Sequence, residues 1–373
     1  MNTHKQPRVI DLTRTMAPEV PSFSSFIKTE LNNLAAEPDL ANLIQRHRFH
    51  GTDHDKTCAV KWLATRLVET VDPDRLLVTG GTQNILLILL PYLARQRGAI
   101  ATERLTYAAI GQLANISGLE VRAVDLDEEG MMPAALEAVC RAGDVGAIYI
   151  NPTGHNPTTA IMSPTRREAI ASVARKYHMP IVEDDVHGFI TKNAPPPMAT
   201  FAPELTWYVM SLSKCIGIGL RTAYLVGPSP DTVKALTVSI PSVSAWFVPG
   251  LSAALVSKLI ETGAAERISS EIADEIEARQ QIATEILGPL GLMRSNPSSL
   301  HLWIDLPSQM TVDHMVSAAA ARNVLVRHPK VFSSVGNDVD GNIRLSVIAP
   351  KSHDELREGL HIVREVIERK VTD

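Results

Sequence analysis

The sequence predicts an α/β protein, with a large domain on a mostly parallel central sheet and a smaller α+β domain after it. Three observations lead there. From about residue 70, short β-rich runs alternate with helical stretches, the pattern of parallel strands joined by crossover helices. The 373 residues are 45% hydrophobic and 21% charged, a globular composition with enough length for a large core and more than one domain. A long charged helical pattern at 265–287 then separates this rhythm from a different set of strands and helices.

The elements follow in chain order. Residues 1–50 mix turn residues (Pro18, Pro21, Ser22, Ser24) with a helical stretch at 26–36 that Pro38 stops. This is too little for a domain and reads as an arm or lead-in segment. Strands are expected at 76–78, 99–102, 121–124, 147–150, 181–183, 207–210 and 223–226, within a large domain spanning 51–265. Helices are expected at 83–97 and 166–178. Ser163-Pro164 opens the second, a cap residue followed by proline at the first helical position. The small domain, 266–373 with part of the N-terminal segment, is expected to hold strands at 300–304, 324–326 and 343–347 and helices at 312–321 and 352–368.

Composition narrows the function classes. With 36 basic and 41 acidic residues the formal net charge is −5, so no basic excess points to nucleic acid or an anionic membrane. Cys58, Cys140 and Cys215 show no CxxC pairing and no metal-ligand spacing, as expected of reduced thiols in a cytosolic protein. The first ten residues are polar and lack the apolar core of a signal peptide. The longest apolar stretch, 85–94, is interrupted by Pro91 and too short to span a bilayer, so it reads as a buried helix.

In parallel sheets ligands bind at the carboxyl ends of the strands, and four motifs sit there. Thr79-Gly80-Gly81-Thr82-Gln83 has glycines for close backbone approach and hydroxyls at a helix start, a cradle for phosphate or a plain strand-to-helix turn. Asn156-Pro157-Thr158 offers an amide donor to a ring hydroxylate, or is a surface turn. Glu183-Asp184-Asp185-Val186-His187 stacks three acids whose repulsion suggests a cationic ligand group or a metal, or a solvated strand end. Ser211-Leu212-Ser213-Lys214, then Gly217, Gly219 and Arg221, suits a lysine that condenses with an aldehyde beside a phosphate site, or a solvated loop charge. Together they supply the four parts that pyridoxal 5′-phosphate requires: a lysine, an anion cradle, an acid for the pyridine nitrogen and a donor for the phenolate.

These motifs, with Thr106-Tyr107 and Ile343-Arg344-Leu345-Ser346, make the sequence resemble the class I/II aminotransferases, pyridoxal phosphate enzymes of fold type I. The likeness runs from about residue 45 to the end and is nearest to the kynurenine/2-aminoadipate-type group. It extends equally to the aminotransferase-like domain of GntR-type regulators. The resemblance implies that Lys214 carries the cofactor as a Schiff base and moves the proton at the substrate's Cα. It implies that Asp184 pairs with the pyridine nitrogen, Asn156 bonds the ring hydroxylate, and Tyr107 stacks on the ring. Gly81, Thr82, Gln83, Ser211, Ser213 and Arg221 would hold the phosphate, and Arg344 the substrate carboxylate, with Asn156 beside it. His187 stands where the family has a tyrosine touching the ring hydroxylate, and an imidazole N–H is expected to donate that bond. His50 is the candidate for a residue reaching a neighbouring subunit's phosphate. Trp246, Phe247, Arg327, His328 and Lys330 are candidates for shaping specificity.

The expected activity is transfer of an amino group from an α-amino acid to a 2-oxo acid in a cytoplasmic homodimer. A pyridoxal phosphate lyase is the alternative. A ligand-sensing module would need a helix-turn-helix ahead of it, and the first 45 or so residues are neither basic nor patterned as three helices. Metal binding at the acids has only His178 and His187 nearby in sequence, and no metal is expected there.

Overall fold

The computed structural model describes residues 8–239, 248–336 and 339–372. Seven strands form one sheet, in the order Leu76–Thr79, Ala223–Val226, Thr206–Ser211, Ile181–Asp184, Val145–Ile150, Ala99–Glu103, Glu120–Val124. Ala223–Val226 runs antiparallel to both neighbours, and the other pairs are parallel. All seven expected runs are in this sheet.

Burial on both faces explains why these strands read as continuous apolar runs. Every residue of Val145–Ile150 is buried. Ile148 packs with Ile170 and Ala174 on one face, while its neighbour Tyr149 packs with Ile85 and Leu89 on the other. Ile85 and Leu89 belong to the helix Thr82–Ala94, the apolar stretch that contains Pro91. Gly146 lets that helix approach the sheet, because a Cβ there would lie 2.5 Å from the Ala94 Cα. The helix Pro164–Tyr177 begins as its sequence suggests: the Ser163 hydroxyl accepts from the Arg166 N–H at 3.2 Å, and Pro164 occupies the first turn.

The helix Ala264–Leu287 turns Ile268, Ile272, Ile276 and Ala283 to the core. After it, Met293–Arg294, His301–Asp305 and Asn342–Ser346 form an antiparallel sheet, with helices Val312–Ala321 and His353–Thr372. The expected strand at 324–326 is not in this sheet. Val324–Leu325 instead pairs in parallel with Ile10–Asp11 from the N-terminal segment. Ile10 and Leu12 are almost fully buried, and Gly359 admits Ile10 against the last helix, where a Cβ would lie 2.9 Å from its side chain. The lead-in segment is therefore packed into the C-terminal half, which carries Thr13 and Thr15 toward the end of the large sheet.

Candidate active site

A cleft that opens to solvent lies at the carboxyl ends of the parallel strands. The loop after Leu76–Thr79 contributes Gly81, Thr82 and Gln83, and the loop after Val145–Ile150 contributes Asn151 and Asn156. Asp184, Val186 and His187 follow the next strand, and Ser211, Ser213, Lys214, Ile218 and Arg221 the one beyond it. Tyr107 closes one wall and Thr15 another. The four motifs, more than 140 residues apart in sequence at their extremes, thus face one space because each ends a strand of the same sheet.

The three consecutive acids have separate fates. Glu183 accepts the Met198 and Ala199 N–H groups at 2.7 and 3.0 Å, with Arg167 3.6 Å away. Asp185 accepts from Arg66 at 2.8 and 3.3 Å and from the Tyr208 hydroxyl at 2.8 Å. Only Asp184 reaches the cleft. Its Oδ2 accepts from Tyr149 at 2.8 Å, while its Oδ1 is buried and has no partner. Burial pushes the Asp184 carboxyl up to about 6, against the opposing effect of the Tyr149 bond. A buried acceptor without a donor is costly. A protonated ring nitrogen would satisfy it.

The opposite end of the cleft suits an anion. Gly81 adopts φ 109°, a conformation strained for other residues, and the helix Thr82–Ala94 starts there with no side-chain cap. The first N–H groups and the positive end of the helix dipole therefore face the cleft without a side-chain acceptor. The Arg221 guanidinium packs on Gly81, so that a Cβ there would lie 3.5 Å from Nη2. Among the described residues no carboxylate pairs with it. The Ser211 hydroxyl donates to Ser213 Oγ at 3.1 Å, and Gln83 donates to the Tyr107 hydroxyl at 2.8 Å.

Between these ends stands Lys214, whose Nζ donates to the Thr15 carbonyl. Burial first, then the cation Arg344, lowers the Lys214 ammonium from 10.5 to about 8, which raises the share of free amine at neutral pH. Arg344 is 4% exposed and, among the described residues, has no carboxylate partner. Its Nη1 donates to Asn156 Oδ1 at 3.0 Å and its Nη2 to the Thr13 carbonyl at 2.6 Å, while Nε is buried and unbonded. The Phe332 ring lies 4.6 Å from its Cζ. Burial, then Arg327, lowers its pKa to about 9. A buried guanidinium with no carboxylate partner, bonded to Asn156 of the cleft wall, has the charge and geometry to accept a carboxylate.

Asn151 organises this centre: its amide donates to the Asp184 carbonyl, and its Oδ1 accepts the Asn156 N–H at 3.1 Å. His187 corrects one expectation. Its Nδ1 lies 2.7 Å from the Gly154 carbonyl, which can only accept, so Nδ1 carries the proton. Burial, then Lys214, pushes the ring down to about 4, so it is neutral and its Nε2 holds a lone pair, not the N–H expected for a ring hydroxylate. His50 lies beside the sheet, accepting the Val78 N–H on its carbonyl at 3.0 Å, and does not line this cleft. Arg327 bridges the Arg344 strand, and the His328 ring accepts the Lys330 N–H at 3.2 Å. Trp246 and Phe247 lie outside the described residues. Sequence reasoning missed Thr13, Thr15, Tyr149 and Asn151. The expectation that part of the N-terminal segment joins the small domain names neither Thr13 nor Thr15, and no motif marks Tyr149 or Asn151.

A family model described as aminotransferase class I and II matches residues 28–363. The uncharacterized HTH-type transcriptional regulator YdeF of Bacillus subtilis is 27% identical over 91% of this chain and 72% of its own length. The regulator YisV of the same organism is 25% identical over 80% of this chain, which spans only 62% of it. Among solved structures, Pyrococcus horikoshii kynurenine aminotransferase superposes with a TM-score of 0.86 at 21% identity, over 97% of this chain and 91% of that one. The fold is therefore that of the type I pyridoxal phosphate-dependent transferases. No described helix is long and apolar enough to cross a membrane. The family match takes in both sheets and every cleft residue named above except Thr13 and Thr15, and the chain belongs to the aminotransferase class I and II family of transferases, whose cofactor is pyridoxal 5′-phosphate.

Proposed function

We propose that this chain is an aminotransferase that moves the amino group of an α-amino acid to a 2-oxo acid by a ping-pong route. The observation that carries the reading is the convergence on one cleft of a depressed lysine, a partnerless buried carboxylate oxygen and an unpaired anion corner. The residues fit pyridoxal phosphate. Asp184 would hold the pyridine nitrogen protonated, Tyr107 would stack on the ring, and the Asn156 amide would bond the ring hydroxylate, with His187 packed beside it. Gly81, Thr82, Gln83, Ser211, Ser213 and Arg221 would hold the phosphate. The bound cofactor supplies a ring that takes up the electron pair left when the Cα–H bond breaks.

The chain's own residues do the rest. Lys214 would anchor the cofactor, and its amine, once released, would carry the proton from the substrate's Cα to the cofactor's C4′. Arg344, with Asn156 beside it, would clamp the α-carboxylate and so fix which Cα bond lies across the ring. The 51–265 segment would hold the cofactor, and 266–373 with the N-terminal segment would close over it. Exposed Ile44 and Phe49 fit a face covered by a second copy, and a homodimer, in the cytoplasm, is the assembly proposed.

A second reading draws on the regulator relatives: a domain that binds an amino acid through the cofactor without turning over. One experiment separates the two. The visible spectrum of the purified protein is followed through addition of an amino-acid panel and then a 2-oxo acid. Conversion of the cofactor band to its amino form, and its return with the 2-oxo acid over many cycles, supports the aminotransferase. A cofactor band that changes on binding without product favours the sensing domain, and ammonia release favours a lyase. A protein that takes up no cofactor overturns all three.

A further inference from the structure

We propose that His54, Cys58 and Glu261, none of which lines the cleft, form a zinc-type metal site that braces the helices Asp53–Leu63 and Gly250–Glu261. His54 and Cys58 stand four residues apart on the helix Asp53–Leu63, one turn above each other on the same face. Glu261 ends the helix Gly250–Glu261, which packs against it. The His54 Nε2 lies 3.4 Å from Glu261 Oε1 and 3.8 Å from Cys58 Sγ, and all three donor atoms fall within 4.8 Å of one another. Zinc bonds of about 2.0–2.3 Å set at tetrahedral angles give ligand-to-ligand edges of roughly 3.3–3.6 Å. The His54–Glu261 and His54–Cys58 pairs therefore need shifts of only a few tenths of an ångström, and the Cys58–Glu261 pair lies within 4.8 Å.

The donor set is one imidazole, one thiol and one carboxylate, a mixture that suits borderline cations such as Zn²⁺ and not the oxygen-preferring Mg²⁺ or Ca²⁺. The fourth position faces solvent, since His54 and Glu261 are each at least 40% exposed at the side chain, and water would fill it. Binding would exchange the Cys58 thiol proton for the cation and release that proton to solvent.

Contacts around the ligands hold the two helices together. Asp55, between His54 and Cys58, accepts from Arg48 at 2.7 Å and from the Ser257 hydroxyl of the other helix at 2.9 Å. The Lys61 amine is spent on the Ile260 carbonyl at 2.9 Å. Two cations stand near the ligands: the Lys61 amine also reaches the Glu261 carbonyl at 3.5 Å, and Lys258, held by Glu37 at 3.0 Å, lies 3.9 Å from the second Glu261 oxygen. None of these residues lines the cleft, so the site can be altered without touching the proposed chemistry.

The test is equilibrium dialysis of the cofactor-loaded protein against Zn²⁺, followed by absorbance with Co²⁺ in its place. The expected result is one zinc per chain, with His54→Gln weakening it by at least the roughly 10–100-fold that even an outer-shell partner is worth. Cys58→Ser should abolish the thiolate-to-cobalt band, and both variants should keep the parent's cofactor spectrum and turnover. His54 is more than half exposed at its side chain, so His54→Gln keeps the fold and isolates the ligand effect. Equal zinc retention by the His54→Gln/Cys58→Ser double variant would overturn the site. Cobalt spectra of purely octahedral type, without a thiolate band, would overturn it as well.

Discussion

Replacing Arg344 with methionine separates the cost of this side chain from its use. The fall of its pKa from 12.5 to about 9 corresponds to roughly 5 kcal/mol of unfavourable burial of the charge. A substrate carboxylate would offset much of this by accepting charge-assisted bonds, and one face of the fork, Nε, is free for it. Removing one partner of such a buried pair costs about 3–5 kcal/mol, or about 10²–10³·⁵-fold in kcat/KM. Stability of the ligand-free protein should respond far less. Arg344→Met sheds a partnerless buried cation, while Asn156 Oδ1 and the Thr13 carbonyl each lose a donor worth about 1–3 kcal/mol. These effects oppose, and the net change should stay within about 2 kcal/mol. The assay is steady-state kinetics with an amino-acid donor, paired with chemical denaturation of the apoprotein. A KM and kcat within threefold of the parent would refute the carboxylate role. A collapse of stability with no kinetic effect on the surviving protein would make Arg344 a purely structural residue.

Four further outcomes follow from the same geometry. Asp184→Asn removes the carboxylate facing the ring nitrogen and should cost about 3–5 kcal/mol of activity, measured as turnover at saturating cofactor; undiminished turnover would sink its assigned role. Because Lys214 titrates at about 8 in the folded chain and 10.5 when unfolded, cofactor uptake by the apoprotein should rise with pH through about 8 and then level off. Its charge is least tolerated below that value, so its contribution to stability should improve as pH rises from about 8 to 10.5, and Arg344→Met should move the uptake midpoint upward. Glu103 is buried with both carboxylate oxygens unbonded and its pKa pushed up to about 8, so native stability should fall as pH rises from 4.5 to about 8. Glu103→Gln should remove that fall, gaining a few kcal/mol over the parent at pH 8 and little at pH 4.5, as denaturation midpoints at the two pH values would reveal. Gly146→Ala drives a Cβ to 2.5 Å from the Ala94 Cα and should destabilise by about 1–3 kcal/mol without changing KM.

Much of the large sheet and most of the cleft were legible in the chain. Strands buried on both faces cannot alternate polar with apolar residues, so runs such as Val145–Ile150 declare themselves. Chemistry at strand ends follows from the parallel arrangement, which singles out the segments around Gly81, Asn156, residues 183–185 and Lys214, while the choice of Asp184 among its acidic neighbours came from the family resemblance. The antiparallel sense of Ala223–Val226 left no such trace, because direction depends on the connection and not on the strand's composition.

What stayed hidden depends on contacts between distant residues. Three acids in a row look alike in sequence. Arg66, Tyr208 and the Met198 N–H neutralise two of them and leave Asp184 for the cleft, through partners 15 to 119 residues away. The pairing of Ile10–Asp11 with Val324–Leu325 brings Thr13 to Arg344 and Thr15 to Lys214, a closure of more than 300 residues that no local pattern encodes. The tautomer of His187 was set by a single carbonyl, Gly154. Local propensity and burial periodicity are properties of neighbouring residues and survive in the sequence. Hydrogen-bond partners, charge pairing and the meeting of His54 and Cys58 with Glu261 exist only once the chain has folded and distant backbone is fixed in place.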